Sequence, residues 1–401
     1  GGSSGGCNAD VSVDNMHDSH NPATPSPSSA GKREGAGENG GIASNGAATT
    51  PPSAPGPIPN GSSNTQNNSQ AEGSKPCGTI STCAADGENG DGGEVRTTDC
   101  GFDASLCRAD DVSLRPKEKK KVDFRGKLVL APLTTVGNLP FRRICKEFGV
   151  DITVGEMAMC RNINAAQPSE WALLRRHPIE DVFGVQLCSS NVKDVVTTCQ
   201  ILNDSINVDF VDLNCGCPID LVTKMGAGSA LPEKTRRFSW MLASMNFALD
   251  CPMTVKVRTG IDEKAPTLHN LVPNIHRWGP AALTIHGRSQ QQRYSRRADW
   301  EYVGRCKALA DPSLPVIGNG DVLSFSEAEA CKEVSGVDGL MIARGALIKP
   351  WLFQEIKERR DWDISAQERL DIVRKYCNYG LEHWGSDTRG VDNTRHFLLQ
   401  W

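Results

Sequence analysis

The stretch FVDLNCG at residues 210–216 is a short apolar run that ends in polar residues and a glycine. Seven further runs of this kind occur along the chain, with helix-like stretches between them. They are 127–135 (KLVLAPLTT), 151–157 (DITVGEM), 182–188 (VFGVQLC), 253–260 (MTVKVRTG), 282–288 (ALTIHGR), 315–321 (PVIGNGD) and 339–345 (GLMIARG). Apolar strands that alternate with helices predict a parallel sheet covered by helices.

Eight such units predict an α/β fold, specifically a (β/α)8 TIM barrel. The predicted helices of the barrel lie at 138–148, 192–203, 234–249, 268–278, 324–333 and 349–359. An open doubly wound sheet is the alternative, but that fold usually carries a G-x-G-x-x-G turn after its first strand. The first run here ends in Ala-Pro-Leu-Thr-Thr, which favours the barrel.

The first 110 residues have a different composition from the rest of the chain. They are rich in Gly, Ser, Asn and Pro and contain one aromatic residue, Phe102. Such a segment cannot bury enough apolar surface to offset its ordering entropy. It carries 5 basic and 13 acidic residues, a net charge of −8, whereas the remainder carries 39 and 35, a net charge of +4. The basic remainder suits a polyanionic partner without requiring one.

These patterns predict three segments. Residues 1–122 form a disordered acidic tail closed by a basic linker, 123–360 form the barrel, and 361–401 begin a truncated helical domain with helices at 366–383 and 393–401. Because the chain lacks an initiator Met and ends inside a helical pattern, we interpret it as a fragment. It contains no run of 18 apolar residues, so no membrane partner is expected.

The 15 cysteines do not have the spacing of a small disulfide scaffold. Ten of them lie in strand-like or helix-like segments, which favours a reducing compartment, cytoplasmic or nuclear. Cys77, Cys83, Cys100 and Cys107 are spaced C-x5-C-x16-C-x6-C, which is not the paired spacing of a zinc site. We therefore expect no metal in this chain.

Polar residues collect at the predicted carboxyl ends of the strands, where barrels place their catalytic groups. In the fourth strand Asp212 and Asn214 alternate with Val211 and Leu213, and Cys215 shares the outward side. Cys217 follows the glycine, on the loop. We expect Cys215 to pack against helices and Cys217 to reach a ligand, although a buried small apolar role for Cys217 remains the alternative.

The fifth and sixth strands carry charged residues of one parity. Lys256 and Arg258 lie on one strand, and Thr284, His286 and Arg288 on the next. A lysine inside a barrel needs an anion to offset its burial. That anion is either Asp212 or Glu156, in a salt bridge, or a cofactor or substrate. The two interpretations are equally supported by the sequence.

Two glycine-rich strand ends and one loop point to phosphates. GNGD at 318–321 and ARG at 343–345 follow the seventh and eighth strands, whose loops form the phosphate site of many barrels. Together they indicate a phosphorylated cofactor such as FMN. The loop at 287–300 (GRSQQQRYSRRADW) interleaves arginines with aromatics, which suits contact with RNA phosphates and bases. Composition alone slightly favours the alternative, a solvated surface loop.

The same segments resemble a known family. NCGCP at 214–218, GAGSAL at 226–231, KVRTG at 256–260, TIHGR at 284–288, QQRYSRRADW at 291–300, NGD at 319–321 and ARGAL at 343–347 resemble the dihydrouridine synthases. APLTTVGNLPFRR at 131–143 and GEMAM at 155–159 resemble the eukaryotic subclass that acts on tRNA position 47. The resemblance spans residues 124–401. That subclass carries CCCH zinc fingers upstream, and none is found in residues 1–110.

The resemblance implies an FMN-dependent, NADPH-using reductase of uridine in tRNA, with mRNA left open as a second substrate, acting as a monomer. By resemblance the FMN-binding residues are Pro132, Leu133, Thr134, Gln186, Lys256, His286, Asn319, Gly320, Asp321, Ala343 and Arg344. Cys217 matches the family's proton donor. Asn214, Arg258, Arg288 and Tyr294 are the expected substrate-binding residues.

The chemistry agrees with these residue types. NADPH reduces FMN, hydride passes from flavin N5 to C6 of uridine, and C5 takes a proton from the other face. A cysteine thiol is largely protonated at neutral pH and can act as that acid. Two alternatives remain: an FMN barrel that reduces a free pyrimidine or an enone, and a non-catalytic RNA-binding protein.

Overall fold

The computed structural model describes residues 119–292, 294 and 296–401. The predicted disorder of the tail and the four tail cysteines lie outside these residues, apart from the last few residues of the basic linker. Among the described residues no group of His, Cys, Asp and Glu has a geometry that could hold a metal ion. Within the same residues no helix is long and apolar enough to cross a membrane.

Eight parallel strands form the predicted barrel. They are β1 Leu128–Leu130, β2 Thr153–Met159, β3 Phe183–Cys188, β4 Phe210–Cys215, β5 Met253–Arg258, β6 Leu283–His286, β7 Val316–Asn319 and β8 Gly339–Ile342. Each strand from β2 to β7 pairs with its successor in sequence, and β8 pairs with β1. A parallel bridge between Val129 and Ile152 links the β1–β2 side. The TIM-barrel prediction is therefore confirmed.

The described helices follow the strands. They are α1 Leu139–Glu147, α2 Cys160–Asn164, α3 Pro168–Ala172, α4 Val192–Ser205, α5 Asp220–Lys224, α6 Thr235–Ala248, α7 Val272–Ile275, α8 Trp300–Leu309, α9 Phe325–Ser335, α10 Arg344–Ile348, α11 Leu352–Glu358, α12 Ala366–Trp384 and α13 Thr388–Gln400. The predicted helix at 268–278 is wrong as one unit, because Pro273 interrupts it and two 3-10 turns flank the short α7. Helix α8, capped by Asp299, was not predicted.

Alternation along β4 separates an outer core from the barrel interior. Val211, Leu213 and Cys215 are fully buried in a cluster with residues of the surrounding helices, as expected for Cys215. Phe210 belongs instead to a cluster built from β1, β2, β7 and β8, and its ring packs edge-on against Phe124 at 5.3 Å. The interior is thus closed at one end by aromatic rings, and its polar residues lie toward the other end.

The C-terminal helices pack against α1. The Arg143 guanidinium lies 3.6 Å from the centre of the Tyr379 ring on α12, and Lys375 pairs with Glu147. After α13, the Trp401 indole N–H donates to the Leu347 carbonyl oxygen at 2.8 Å. The side of the barrel between β1 and β2 is therefore the side that α12 and α13 cover.

Candidate active site

One cavity of 420 Å³ opens at the carboxyl ends of the strands. All sixteen predicted site residues line it: Pro132, Leu133, Thr134, Gln186, Asn214, Cys217, Lys256, Arg258, His286, Arg288, Tyr294, Asn319, Gly320, Asp321, Ala343 and Arg344. They come from seven of the eight strands or the loops that follow them, all except β2. The size lies within the usual range for a small-molecule site.

A chain of side-chain hydrogen bonds crosses the cavity floor from β5 to β3. The Thr254 hydroxyl donates to Asp212 at 2.6 Å, and the Gln186 amide nitrogen donates to the same carboxylate at 2.7 Å. The Asn214 amide nitrogen donates to the Gln186 oxygen at 2.8 Å. Because a carboxylate only accepts, this chain fixes which end of each amide is the donor. Burial raises the pKa of Asp212.

Both backbone polar groups of Cys217 form hydrogen bonds, and these fix the loop that carries the residue. The Cys217 N–H donates to the Asn214 side-chain oxygen at 2.9 Å. The Cys217 carbonyl accepts from the N–H of Ser229 at 3.0 Å and from its hydroxyl at 2.9 Å. Gly228 lies so close that a β-carbon on it would meet the Cys217 carbonyl oxygen at 2.6 Å. The GAGS segment thus acts as a clasp on this loop.

Arg258 supports the same loop from β5. Its Nε donates to the Gly216 carbonyl at 2.7 Å, and its Nη1 donates to the Ser289 carbonyl at 2.8 Å. The guanidinium is buried and joins the loop after β4 to the loop after β6. Part of its donor set is therefore used in shaping the cavity wall.

Lys256 makes no hydrogen bond or salt bridge with any residue in the described part of the chain. The two acids that the sequence offered it are engaged elsewhere: Asp212 accepts from Gln186 and Thr254, and Glu156 accepts from the Thr135 backbone N–H at 2.6 Å. Burial, reinforced by the Arg258 charge, lowers the pKa of Lys256 to about 8. An unmatched ammonium beside a cavity favours the second interpretation, an anionic ligand.

His286 lies among cations. Burial, together with the charges of Lys256 and the neighbouring arginines, lowers the pKa of His286 well below its ordinary value, so the ring is neutral at pH 7. Its Nε2 lies 3.3 Å from Arg288 Nη1. Since a guanidinium only donates, Nε2 is the acceptor and the ring proton belongs on Nδ1.

Asp321 joins two arginines at the rim. Arg288, only 2% exposed, donates to one carboxylate oxygen, and Arg344 donates to the other at 2.6 Å. The Ala298 N–H also donates to this carboxylate at 2.7 Å, and these contacts hold the pKa of Asp321 below its ordinary value despite burial. The ring of Tyr294 lies 4.3 Å from the Arg344 guanidinium and is 62% exposed. The rim therefore presents an aromatic face backed by fixed cations.

A family profile with the description "Dihydrouridine synthase (Dus)" matches residues 129–399. The chain belongs to the dihydrouridine synthase family. The matched range takes in all eight strands except the first residue of β1.

Three curated relatives match this chain, and each is named tRNA-dihydrouridine(47) synthase [NAD(P)(+)]-like. The rat (Rattus norvegicus) protein is 58% identical over 297 residues, 74% of this chain and 46% of its own length. The Xenopus tropicalis protein is 58% identical over 293 residues, covering 73% and 45%. The human (Homo sapiens) protein is 57% identical over 308 residues, covering 77% and 46%. The chain thus spans about half the length of the curated relatives it matches.

Several residues of this dihydrouridine synthase chain complete the site without having been predicted. Met157 and Ile219 add apolar surface to the cavity, and Thr254 and Ser229 orient its polar groups. Thr254 has the parity of Lys256 along β5, a signal that was present in the sequence. The hydrogen bonds from Ser229 to the Cys217 carbonyl could not be predicted from the GAGSAL motif, because they depend on the path of the loop.

Proposed function

We propose that this chain carries the catalytic barrel of a flavin-dependent synthase that reduces uridine in tRNA to 5,6-dihydrouridine. The names of the relatives support position 47 as the target and a nicotinamide nucleotide, NADPH or NADH, as the reductant. The observation that carries the proposal is the placement of Cys217, clasped at both backbone groups, on the cavity that the unpaired Lys256 also lines.

The residues of the cavity fit FMN. The unmatched Lys256 ammonium would offer a charge to an electron-rich ring. Hydrogen bonds to Asp212 and to the Met341 carbonyl fix the Gln186 and Asn319 amides on the cavity wall, where they would contact the ring. Arg344 and the Gly320 backbone, which both line the cavity, would hold its phosphate. When bound, reduced FMN supplies a hydride. The residues proposed to hold it are Pro132, Leu133, Thr134, Gln186, Lys256, His286, Asn319, Gly320, Asp321, Ala343 and Arg344.

Cys217 is proposed as the acid. Once hydride has added to C6 of the uracil, the electron pair of the C5=C6 bond moves toward C5 and the C4 carbonyl. The Cys217 Sγ–H bond breaks, its proton goes to C5, and the thiolate that remains takes a proton from water. The Asn214 bond to the loop keeps the sulfur in place during this transfer.

The rim is proposed to receive the nucleotide. A uridine must leave its stack to reach a barrel mouth, and an exposed aromatic ring gives the extruded base or its neighbour a stacking surface. Tyr294, backed by Arg344 and Arg288, has that exposure and charge. Arg258 shapes the wall, and Asn214 orients the uracil edge.

Incubating the purified chain with FMN, NADPH and unmodified tRNA tests the proposal. We expect a yellow protein that absorbs near ~450 nm and forms dihydrouridine. Cys217→Ala is expected to keep the flavin and lose at least about 100-fold in turnover, in line with the loss of a positioned acid. Cys215→Ala is the matched control, because its thiol is buried in the outer core.

Two results would contradict the proposal. A chain that takes up no flavin at any concentration excludes the enzyme. Equal turnover on free uridine and on tRNA favours the alternative reductase of a free pyrimidine.

A further inference from the structure

A second groove, of 830 Å³, lies on the outside of the barrel, between the starts of α4 and α6. Its lining includes three cations, Lys234, Arg236 and Arg237, and the indole of Trp240. All four residues are exposed, with Trp240 at 50%. We refer to these four residues as the α6 patch. It shares no residue with the cavity that holds Cys217.

The cations of the α6 patch are not matched by carboxylates. None of the three forms a salt bridge with any residue that the structure describes. The neighbouring Glu233 accepts a hydrogen bond from the Thr267 hydroxyl at 2.9 Å. Lys234 Nζ and Arg237 Nη1 both approach Gly226, at 3.5 and 3.7 Å from where its β-carbon would stand. Two cations that lie near the same glycine, neither of them paired with a described carboxylate, favour an anionic ligand.

Trp240 adds a stacking surface to this charge. The Arg236 guanidinium lies 4.8 Å from the centre of the indole ring. Exposed aromatic faces interleaved with cations are the combination that binds an unpaired base together with its flanking phosphates. An acidic protein surface would pair with the three cations but would have no base to stack on the Trp240 ring.

The position of the patch connects it to the reaction. Gly226 is separated by one residue from Gly228, the glycine that touches Cys217. Helix α6 follows β4, whereas α12 packs against α1, which follows β1, so the patch and the C-terminal helices lie three strands apart around the eight-stranded ring. Because α6 begins after the loop that follows β4, the patch lies at the end of the barrel on which the cavity opens.

We propose that the α6 patch is a second RNA-binding site, which takes two phosphates and one unpaired base of the same RNA whose uridine enters the cavity. This inference rests on the proposed function for the identity of the RNA. The patch holds the strand on the side of Cys217 that faces away from α12 and α13.

The test measures binding of the full chain to unmodified tRNA across a series of salt concentrations. Arg236→Ala/Arg237→Ala is expected to weaken binding about tenfold and to reduce the slope of log K against log salt by about one to two, as two lost phosphate contacts require. Trp240→Ala is expected to weaken binding about fivefold or more, and Trp240→Phe to restore most of it.

The matched control is Arg277→Ala/Arg305→Ala, which removes the same charge from two exposed arginines outside the patch. Equal loss in the control pair, or unchanged affinity and salt slope in the patch variant, would overturn the inference. So would binding of the wild-type chain to phosphatidylserine vesicles but not to tRNA.

A separate readout distinguishes this inference from the proposed function. Flavin uptake and NADPH oxidation without RNA must stay at wild-type levels in all four variants, since none of these residues lines the flavin cavity. Failure of flavin uptake in the wild-type chain counts against the proposed function, whereas normal uptake with unchanged RNA binding in the patch variant counts against the patch alone.

Discussion

The side-chain oxygen of Asn214 accepts a hydrogen bond from the backbone N–H of Cys217 at 2.9 Å. It also accepts from the Gly216 N–H at 3.1 Å. The nitrogen of the same amide donates to Gln186. One side chain therefore couples the cysteine loop to the chain of hydrogen bonds across the cavity floor, and the position of the sulfur depends on it.

Asn214→Leu should separate positioning from folding. Leucine has similar volume but cannot accept from the loop or donate to Gln186, so the loop loses its anchor. Displacements of about 1 Å at a reacting group cost roughly 100-fold in rate. We expect turnover to fall about 10- to 100-fold with flavin content unchanged, measured by single-turnover formation of dihydrouridine. Unchanged turnover would show that the hydrogen bonds from Ser229 to the Cys217 carbonyl position the sulfur without help from Asn214.

Gly228→Ala should disturb the clasp. Gly228 has a φ of +56°, and an added β-carbon would meet the Cys217 carbonyl oxygen at 2.6 Å and a Val222 methyl at 2.8 Å. We expect the free energy of unfolding to fall by about 2–4 kcal/mol, and turnover to fall with it, because the loop must move.

Gly336→Ala is the matched control for this change. Its φ is +60°, but no atom lies within 4 Å of its β-carbon position. The substitution should cost about 1 kcal/mol, which reflects the left-handed backbone alone, with turnover retained. Equal losses in the two variants, measured by urea unfolding, would remove the contact with Cys217 as the cause.

Parity and position predicted much of the site from sequence. Alternation along 210–216 was enough to place Cys215 among the helices and Asn214 inside, because a β-strand leaves only two sides. The glycine at 216 marked the end of the strand and put Cys217 on the loop. All eight strands followed from the same reasoning.

What the sequence left open was how polar groups choose among partners. The sequence offered Lys256 two carboxylates, Asp212 and Glu156. Only the structure shows that Asp212 accepts from Gln186 and Thr254 and that Glu156 accepts from the Thr135 backbone. These choices depend on distances between distant segments, which local pattern does not encode.

A buried ion pair beside α1 offers a test of the barrel itself. Glu180 accepts from Arg142 Nε at 2.8 Å and from the Thr153 hydroxyl at 2.7 Å, and despite burial these contacts lower its pKa. Glu180→Gln should cost about 3–5 kcal/mol at pH 7, because Arg142 is left buried without its anion. Glu382→Gln, whose exposed carboxylate pairs with Arg143, should leave the free energy of unfolding nearly unchanged.

The sign of the pH dependence follows from the lowered pKa of Glu180. Its contribution is present above the pKa of an unfolded Glu and is lost as the pH falls through the folded value. Wild type and Glu180→Gln should therefore converge in urea-unfolding experiments toward acid pH. A difference that stays constant with pH would mean that the loss comes from hydrogen bonding rather than charge.

Lys256 gives the flavin-free chain a dependence on alkaline pH. Its pKa of about 8 lies below that of an unfolded lysine, near ~10.4, so between these values the unfolded chain binds more protons. The free energy of unfolding therefore gains a contribution as the pH rises through this window, and the cost of burying the ammonium is present in full below it. Lys256→Met should raise the free energy of unfolding at pH 7 by about 1–3 kcal/mol and abolish that gain.

The same change should weaken flavin binding, because the charge that destabilises the empty cavity is the one that an electron-rich ring would use. Stability and affinity would then move in opposite directions in a single variant, which a merely structural lysine would not do. Lys264→Met, at an exposed lysine, is the control and should leave both quantities unchanged. If Lys256→Met lowers stability instead, measured by urea unfolding at pH 7 and 9.5, the ammonium is already satisfied within the folded chain and the cavity is not built for an anion.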